Sequence, residues 1–217
     1  MDEKKITPFS TTPEEVLEAV AAVGARAPWI SDALFPLLKR MAIQQNFGRV
    51  RGVLVDMSQQ IKDFEPQDAL HYLKTDDFYQ VCELALRQAA DEPDESKRKS
   101  YACFLANVLK LPKQSFGEKI SLLNDLQQLP PDGVRLLKAL LQEPEGRAHI
   151  PLYQTLQQRL PDLPIERIAE LTQQLESQGI ATFKNQTALL RGRTPGDLKG
   201  LITRNGQRLL SYILPAG

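Results

Sequence analysis

A chain of 217 residues is long enough for one large domain or two small ones, each with its own apolar core. Its 42% hydrophobic and 25% charged residues are ordinary for a soluble globular protein, and no run reaches the ~20 uncharged apolar residues that span a bilayer. Net charge is zero but unevenly spread: residues 1–129 carry 16 basic against 19 acidic side chains and residues 130–217 carry 11 against 8, a balance far from any polybasic tract.

Residues 1–11 are polar and predicted to be mobile. Thr12 followed by Pro13-Glu14-Glu15 reads as a helix start, with a capping hydroxyl, proline at the first helical position and acids on the positive end of the dipole. Val16, Leu17, Val20 and Val23 give that helix one apolar stripe, and Gly24 ends it. Ser31-Asp32 opens a second pattern through Leu34, Leu37, Leu38 and Met41. After Phe47 the spacing resumes through Val50, Val53, Leu54, Met57 and Ile61, weakened by Gly48 and Gly52, so that two helices or one bent helix fit equally.

A short helix is predicted over 67–74. Asp76 or Asp77 caps the next, whose face is Phe78, Val81, Cys82, Ala85, Leu86 and Ala89. The acidic turn Asp91–Glu95 starts another through Tyr101, Phe104, Leu105, Val108 and Leu109, stopped by Pro112. A last helix over 116–129 runs up to Pro130-Pro131. Helices joined by short loops predict an antiparallel bundle over residues 12–129. Such a bundle is a candidate for sensing, or for pairing with a second copy.

Beyond the double proline, Val134, Leu136, Leu137, Leu140 and Leu141 mark one helix, and Leu152, Tyr153, Leu156 and Leu160 a second. The third carries Ile165, Ile168, Leu171 or Thr172, and Leu175 inward, and Gly179 stands where a left-handed C-cap is needed. Ile180-Ala181-Thr182-Phe183 alternates like a strand, Asn185-Gln186 can turn it and Ala188-Leu189-Leu190 can return. Leu201-Ile202-Thr203 is a further strand candidate, with Thr203 or Asn205 capping a final helix through Ile213.

Leu171, Leu175-Glu176-Ser177-Gln178-Gly179-Ile180 and, further on, Leu201-Ile202-Thr203, Gly206 and Leu209-Leu210 together resemble a winged helix-turn-helix domain over about residues 132–214. The first set is similar to the close of many recognition helices, and the second to the exit from a wing. The fold expected for the whole chain is therefore mainly α, an N-terminal helical bundle followed by a winged-helix-like domain with a small β-hairpin. The bundle itself faintly resembles uncharacterised bacterial helical proteins of the Abi-alpha type, and no residue role comes from that likeness.

The winged-helix resemblance implies a third helix in the major groove and a wing on phosphate or the minor groove. On the helix it points to Arg167, Gln173 and Gln174 as groups able to read base edges. Glu166, Glu170 and Glu176 on the same helix would repel the phosphate walls, and residues 164–178 sum to −2. Positive charge lies beyond it: Lys184, Arg191, Arg193, Lys199, Arg204 and Arg208 face only Asp197 within 184–208. Lys184, Arg191, Arg193 and Arg204 are the candidate contacts to phosphates or a narrow minor groove. A solvated loop, with Gly192, Pro195, Gly196 and Gly200 serving turns, explains the same residues.

No enzyme is read from the chain. His71 and His149 lack the partners of a zinc motif, the acid pairs Asp76-Asp77 and Asp91-Glu92-Asp94-Glu95 precede helices, whose capping and dipoles explain them, and no phosphate loop or nucleophile elbow occurs. No cofactor and no metal are expected. Cys82 and Cys103 fall in apolar helical patterns, as buried thiols of a reducing compartment do. With a polar N-terminus that lacks the apolar core of a signal peptide, the expected location is the cytoplasm, without a membrane partner. Two functions stand: a non-enzymatic regulator whose tail contacts DNA chiefly through the wing, or a protein-interaction scaffold that uses the same fold as a docking surface.

Overall fold

The computed structural model describes residues 13–41, 47–61, 64, 67–111, 114–142, 151–183 and 198–215. The chain is mainly helical, with eleven α-helices and one short 3-10 helix among these residues. It forms two compact units, one of residues 1–120 with 212–217 and one of residues 121–211.

The first unit holds α1 (Pro13–Gly24), α2 (Pro28–Met41), α3 (Phe47–Gln60), α4 (Gln67–Tyr72), α5 (Asp76–Asp91), α6 (Glu95–Lys110) and the start of α7 (Phe116–Gln128). Helix α6 is its axis. Every residue from Ser100 to Leu109 is buried, so this helix has no solvent face along that stretch, and α3, α4 and α5 all pack on it. Asn107 interrupts the apolar run for a reason: its Nδ2 donates to the carbonyls of Tyr212 and Leu214, both at 2.9 Å. Phe104 stacks on Tyr212 with ring centroids 4.9 Å apart. Tyr212 and Leu214 are thereby fixed to α6.

Local chemistry sets the helix starts, in places differently from the sequence expectation. Helix α2 begins at Pro28, three residues before Ser31, whose hydroxyl donates to the Pro28 carbonyl at 2.7 Å. Thr75, rather than Asp76 or Asp77, caps α5. It has extended backbone and accepts from the Phe78 amide at 3.3 Å, leaving both aspartates in the first turn. Asp94 caps α6, accepting from the Lys97 amide at 2.7 Å. The buried Lys97 ammonium lies 2.9 Å from the Glu92 carboxylate, in keeping with the rule that buried charges are paired. Helix α3 is a single continuous helix despite its two glycines. Cys82 and Cys103 are both buried and free, and burial pushes the Cys82 thiol well above the ordinary range.

The second unit takes in the rest of α7, then α8 (Pro131–Ala139), α9 (Leu152–Arg159), α10 (Ile165–Ser177), the 3-10 helix Lys199–Leu201 and most of α11 (Arg204–Ile213). Helices α8, α9 and α10 each follow a proline in extended conformation, Pro130, Pro151 and Pro164, with no side-chain cap. Helix α10 packs on both α8 and α9, with Ile168, Leu171 and Leu175 fully buried. Gly179 adopts a φ of 68°, and the Ile180 amide reaches back to the Leu175 carbonyl at 2.9 Å while that of Gly179 reaches Glu176 at 3.0 Å. This is the Schellman ending that the glycine predicts.

The small hairpin is the part of the expected fold that the described residues do not contain. Among them there is no strand, only one antiparallel bridge between Ala181 and Ile202. Its two sides are the predicted segments 180–183 and 201–203. The predicted return, Ala188–Leu190, lies outside the described residues.

Candidate nucleic-acid interface

Helix α10 is positioned by its apolar stripe, so its outer face is fixed as Glu166, Glu170, Gln173 and Ser177, all exposed. Gln173 is therefore presented as the sequence suggests. Gln174 is not: it is partly covered, and its Nε2 donates to the Gln128 carbonyl at 3.2 Å, closing the C-terminal end of α7. Glu176 also leaves the outer face, its Oε1 accepting from the Phe183 amide at 3.1 Å and holding the segment that follows the helix.

Arg167 is answered by acids. Its Nη1 lies 2.9 Å from Glu170 Oε2 and its Nε 3.8 Å from Asp132 Oδ2. Asp132 in turn lies 3.1 Å from Arg135, whose second Nη reaches Asp162 at 2.7 Å. The hydrogen bond from Arg135 holds the Asp162 carboxyl below its ordinary range. This five-member network of Asp132, Arg135, Asp162, Arg167 and Glu170 joins the start of α8, the turn before α10 and the first turns of α10. Sequence reasoning missed Asp132, Arg135 and Asp162. The i,i+3 spacing of Asp132 and Arg135 is a local signal for one pair, whereas Asp162 has none.

Behind α10 the chain is closed at the bridge. The Thr182 amide donates to the Leu201 carbonyl at 2.8 Å and the Thr203 amide to the Ile180 carbonyl at 3.1 Å. Thr203 also uses its hydroxyl, donating to the carbonyls of Gly179 at 2.6 Å and Ile180 at 2.9 Å and accepting from the Gly206 amide at 3.1 Å. It is the cap expected of Thr203 or Asn205, while Asn205 instead donates to Asp125 Oδ2 at 3.0 Å. Arg204, the first residue of α11, is exposed, as is Arg208 one turn later. Lys184, Arg191 and Arg193 lie outside the described residues. Thus the structure presents Gln173 and Arg204, ties Arg167 into an ion-pair network and engages Gln174 with the end of α7.

Elsewhere, Trp29 packs 6.0 Å from Phe64, centroid to centroid. His71 is exposed at the end of α4, and His149 lies outside the described residues. Among the described residues no group of three or more His, Cys, Asp or Glu could hold a metal ion, and no helix is long and apolar enough to cross a membrane. Comparison with protein-family models, with curated proteins and with solved structures finds no significant match.

Proposed function

We propose that this chain is a non-enzymatic regulatory protein whose C-terminal unit is a winged helix that contacts DNA chiefly through the wing. The observation that carries the reading is the bridge of Ala181 and Ile202. It brings together the two ends of segment 182–201, which contains Lys184, Arg191, Arg193 and Lys199 against Asp197 alone, and sets Arg204 next to that closure. A basic loop with a paired base, following a helix packed on two others, is the arrangement a wing requires. The small hairpin of that wing is part of the proposal.

In this reading Arg191, Arg193, Lys184 and Arg204 hold phosphates or enter a narrow minor groove. Gln173 is the residue of α10 left to approach a base edge. Arg167 reaches DNA only by exchanging Glu170 and Asp132 for phosphate. Binding of random duplex DNA at low salt tests the proposal: saturable binding that weakens steeply as salt is added supports it, and its absence at low salt rejects it.

One observation favours a second reading. The outer face of α10 keeps the charge of Glu166, and the network beside it sets three carboxylates against two guanidiniums, a surface that suits a basic protein partner better than a phosphate wall. Under this docking reading, Glu166→Lys/Glu170→Lys abolishes partner binding. Under the DNA reading the same change raises DNA affinity.

A further inference from the structure

Gly48 and Gly52 of α3 lie one helical turn apart, and neither is required by the fold. A β-carbon on either would meet nothing within 4 Å. The positive φ that favours glycine is found at Gly179 and not at these two. Glycine inside a helix costs about 1 kcal/mol against alanine. At these positions it leaves the α3 backbone bare on the floor of an open cleft of about 370 Å³ between α3 and α6, within the first unit. Small-molecule sites have volumes of this order.

The cleft walls are charged, and the charges are not evenly answered. Arg49 Nη1 donates to the Ala90 carbonyl at 3.0 Å. Arg98 Nη1 donates to the carbonyls of Glu92 at 2.9 Å and Pro93 at 2.6 Å. Both guanidiniums are thus anchored on the backbone that ends α5, and among the described residues no carboxylate forms an ion pair with either. The two carboxylates of the lining act first on Lys99: Glu95 lies 2.8 Å from its ammonium and also feels the charge of Arg98, and Asp56 acts on the same ammonium through its charge. Against two carboxylates the lining sets three cations, two of them pre-oriented guanidiniums beside bare backbone. Guanidinium forks of this kind match the oxygens of phosphate.

We propose that this cleft binds the phosphate group of a small phosphorylated molecule between Arg49 and Arg98, against the exposed backbone at Gly52. Two guanidinium forks match the several oxygens of a phosphate better than the two of a single carboxylate. The site is built from residues of the first unit alone, none of them in the basic segment 184–208, so it stands whether or not that segment binds DNA.

Calorimetric titration of the full chain with inorganic phosphate, in a chloride background, tests the proposal. Saturable binding is expected, reduced roughly tenfold by loss of one charge-assisted contact in Arg98→Gln. Arg98 also closes α5, so Gly52→Leu supplies a second variant: it fills the floor, removes no guanidinium and raises helix propensity. It is expected to lose phosphate binding with an undiminished melting temperature. No saturable binding, unchanged binding in Gly52→Leu, or equal binding of acetate would overturn the proposal. Duplex DNA affinity that falls in Gly52→Leu would do so as well, by assigning the cleft to a nucleic-acid backbone.

Discussion

The Ile180 carbonyl oxygen occupies the space that a side chain at Gly206 would need. A β-carbon there would collide with that oxygen and lie 2.8 Å from Ile202 Cγ2. The same carbonyl accepts from both the amide and the hydroxyl of Thr203, so it cannot retreat without breaking the bonds that fix the start of α11. Gly206→Ala is therefore expected to destabilise the chain by roughly 2 kcal/mol or more, as overpacking against backbone does. Urea unfolding, read as a lower midpoint at unchanged slope, checks it.

Opposite behaviour is expected at Gly52. With open space around the added methyl, Gly52→Ala gains helix propensity and loses no contact, for a stabilisation of about 0.5–1 kcal/mol. The same unfolding measurement resolves it. A loss of stability would mean that some group packs against the α3 backbone at this point.

Asn107 carries more than its side-chain volume. Replacing it with leucine removes both hydrogen bonds to Tyr212 and Leu214, one of them fully buried, at a cost of about 2–3 kcal/mol. Hydrogen exchange should localise part of the effect, with faster exchange over residues 212–215 at denaturant concentrations that leave the rest protected.

Alkaline pH should unfold the protein through its tyrosines. Burial raises Tyr72 and Tyr101 far above the ordinary value of 10.0, and Tyr212 to about 12. The folded state thus favours the protonated phenols. Their contribution is complete below the ordinary value and is lost as pH rises from there through the folded values. Tyrosinate absorbance should appear together with loss of helix, not before it. The buried hydroxyls of Tyr72 and Tyr212 have no hydrogen-bond partner among the described residues, so Tyr72→Phe/Tyr212→Phe should leave neutral-pH stability unchanged or higher and move the alkaline transition upward.

Features whose cause is local were readable in the sequence. Gly179 announces a left-handed C-cap because few other residues adopt its φ, and the cap of the last helix was narrowed to Thr203 or Asn205, of which Thr203 takes it. The apolar spacing of α10 placed Ile168, Leu171 and Leu175 in the core and so exposed Gln173, but it also turned Ile165 inward, and the structure leaves that residue exposed in the first turn. Causes that act over long separations left no trace. Asn107 looks like a tolerated polar residue in an apolar run until its partners, more than 100 residues away, are known. The pairing of Arg135 with Asp162 spans 27 residues and has no periodic signature. Gln174 was placed one residue around the helix from an exposed neighbour, and only the Gln128 carbonyl at the end of α7 shows why its amide is engaged. At Thr75-Asp76-Asp77, three adjacent residues can all cap, so composition alone does not choose among them.

The central claim is that DNA is held by the basic segment after α10 and not by α10 itself. Its most direct test is the salt dependence of duplex DNA binding for the full chain, compared with Arg191→Ala/Arg193→Ala and with Gln173→Ala. The account predicts a steep fall of affinity with salt, a slope shallower by about 2 in the double arginine variant, and a slope unchanged in Gln173→Ala. A double arginine variant that binds with the affinity and slope of the unaltered chain would contradict it.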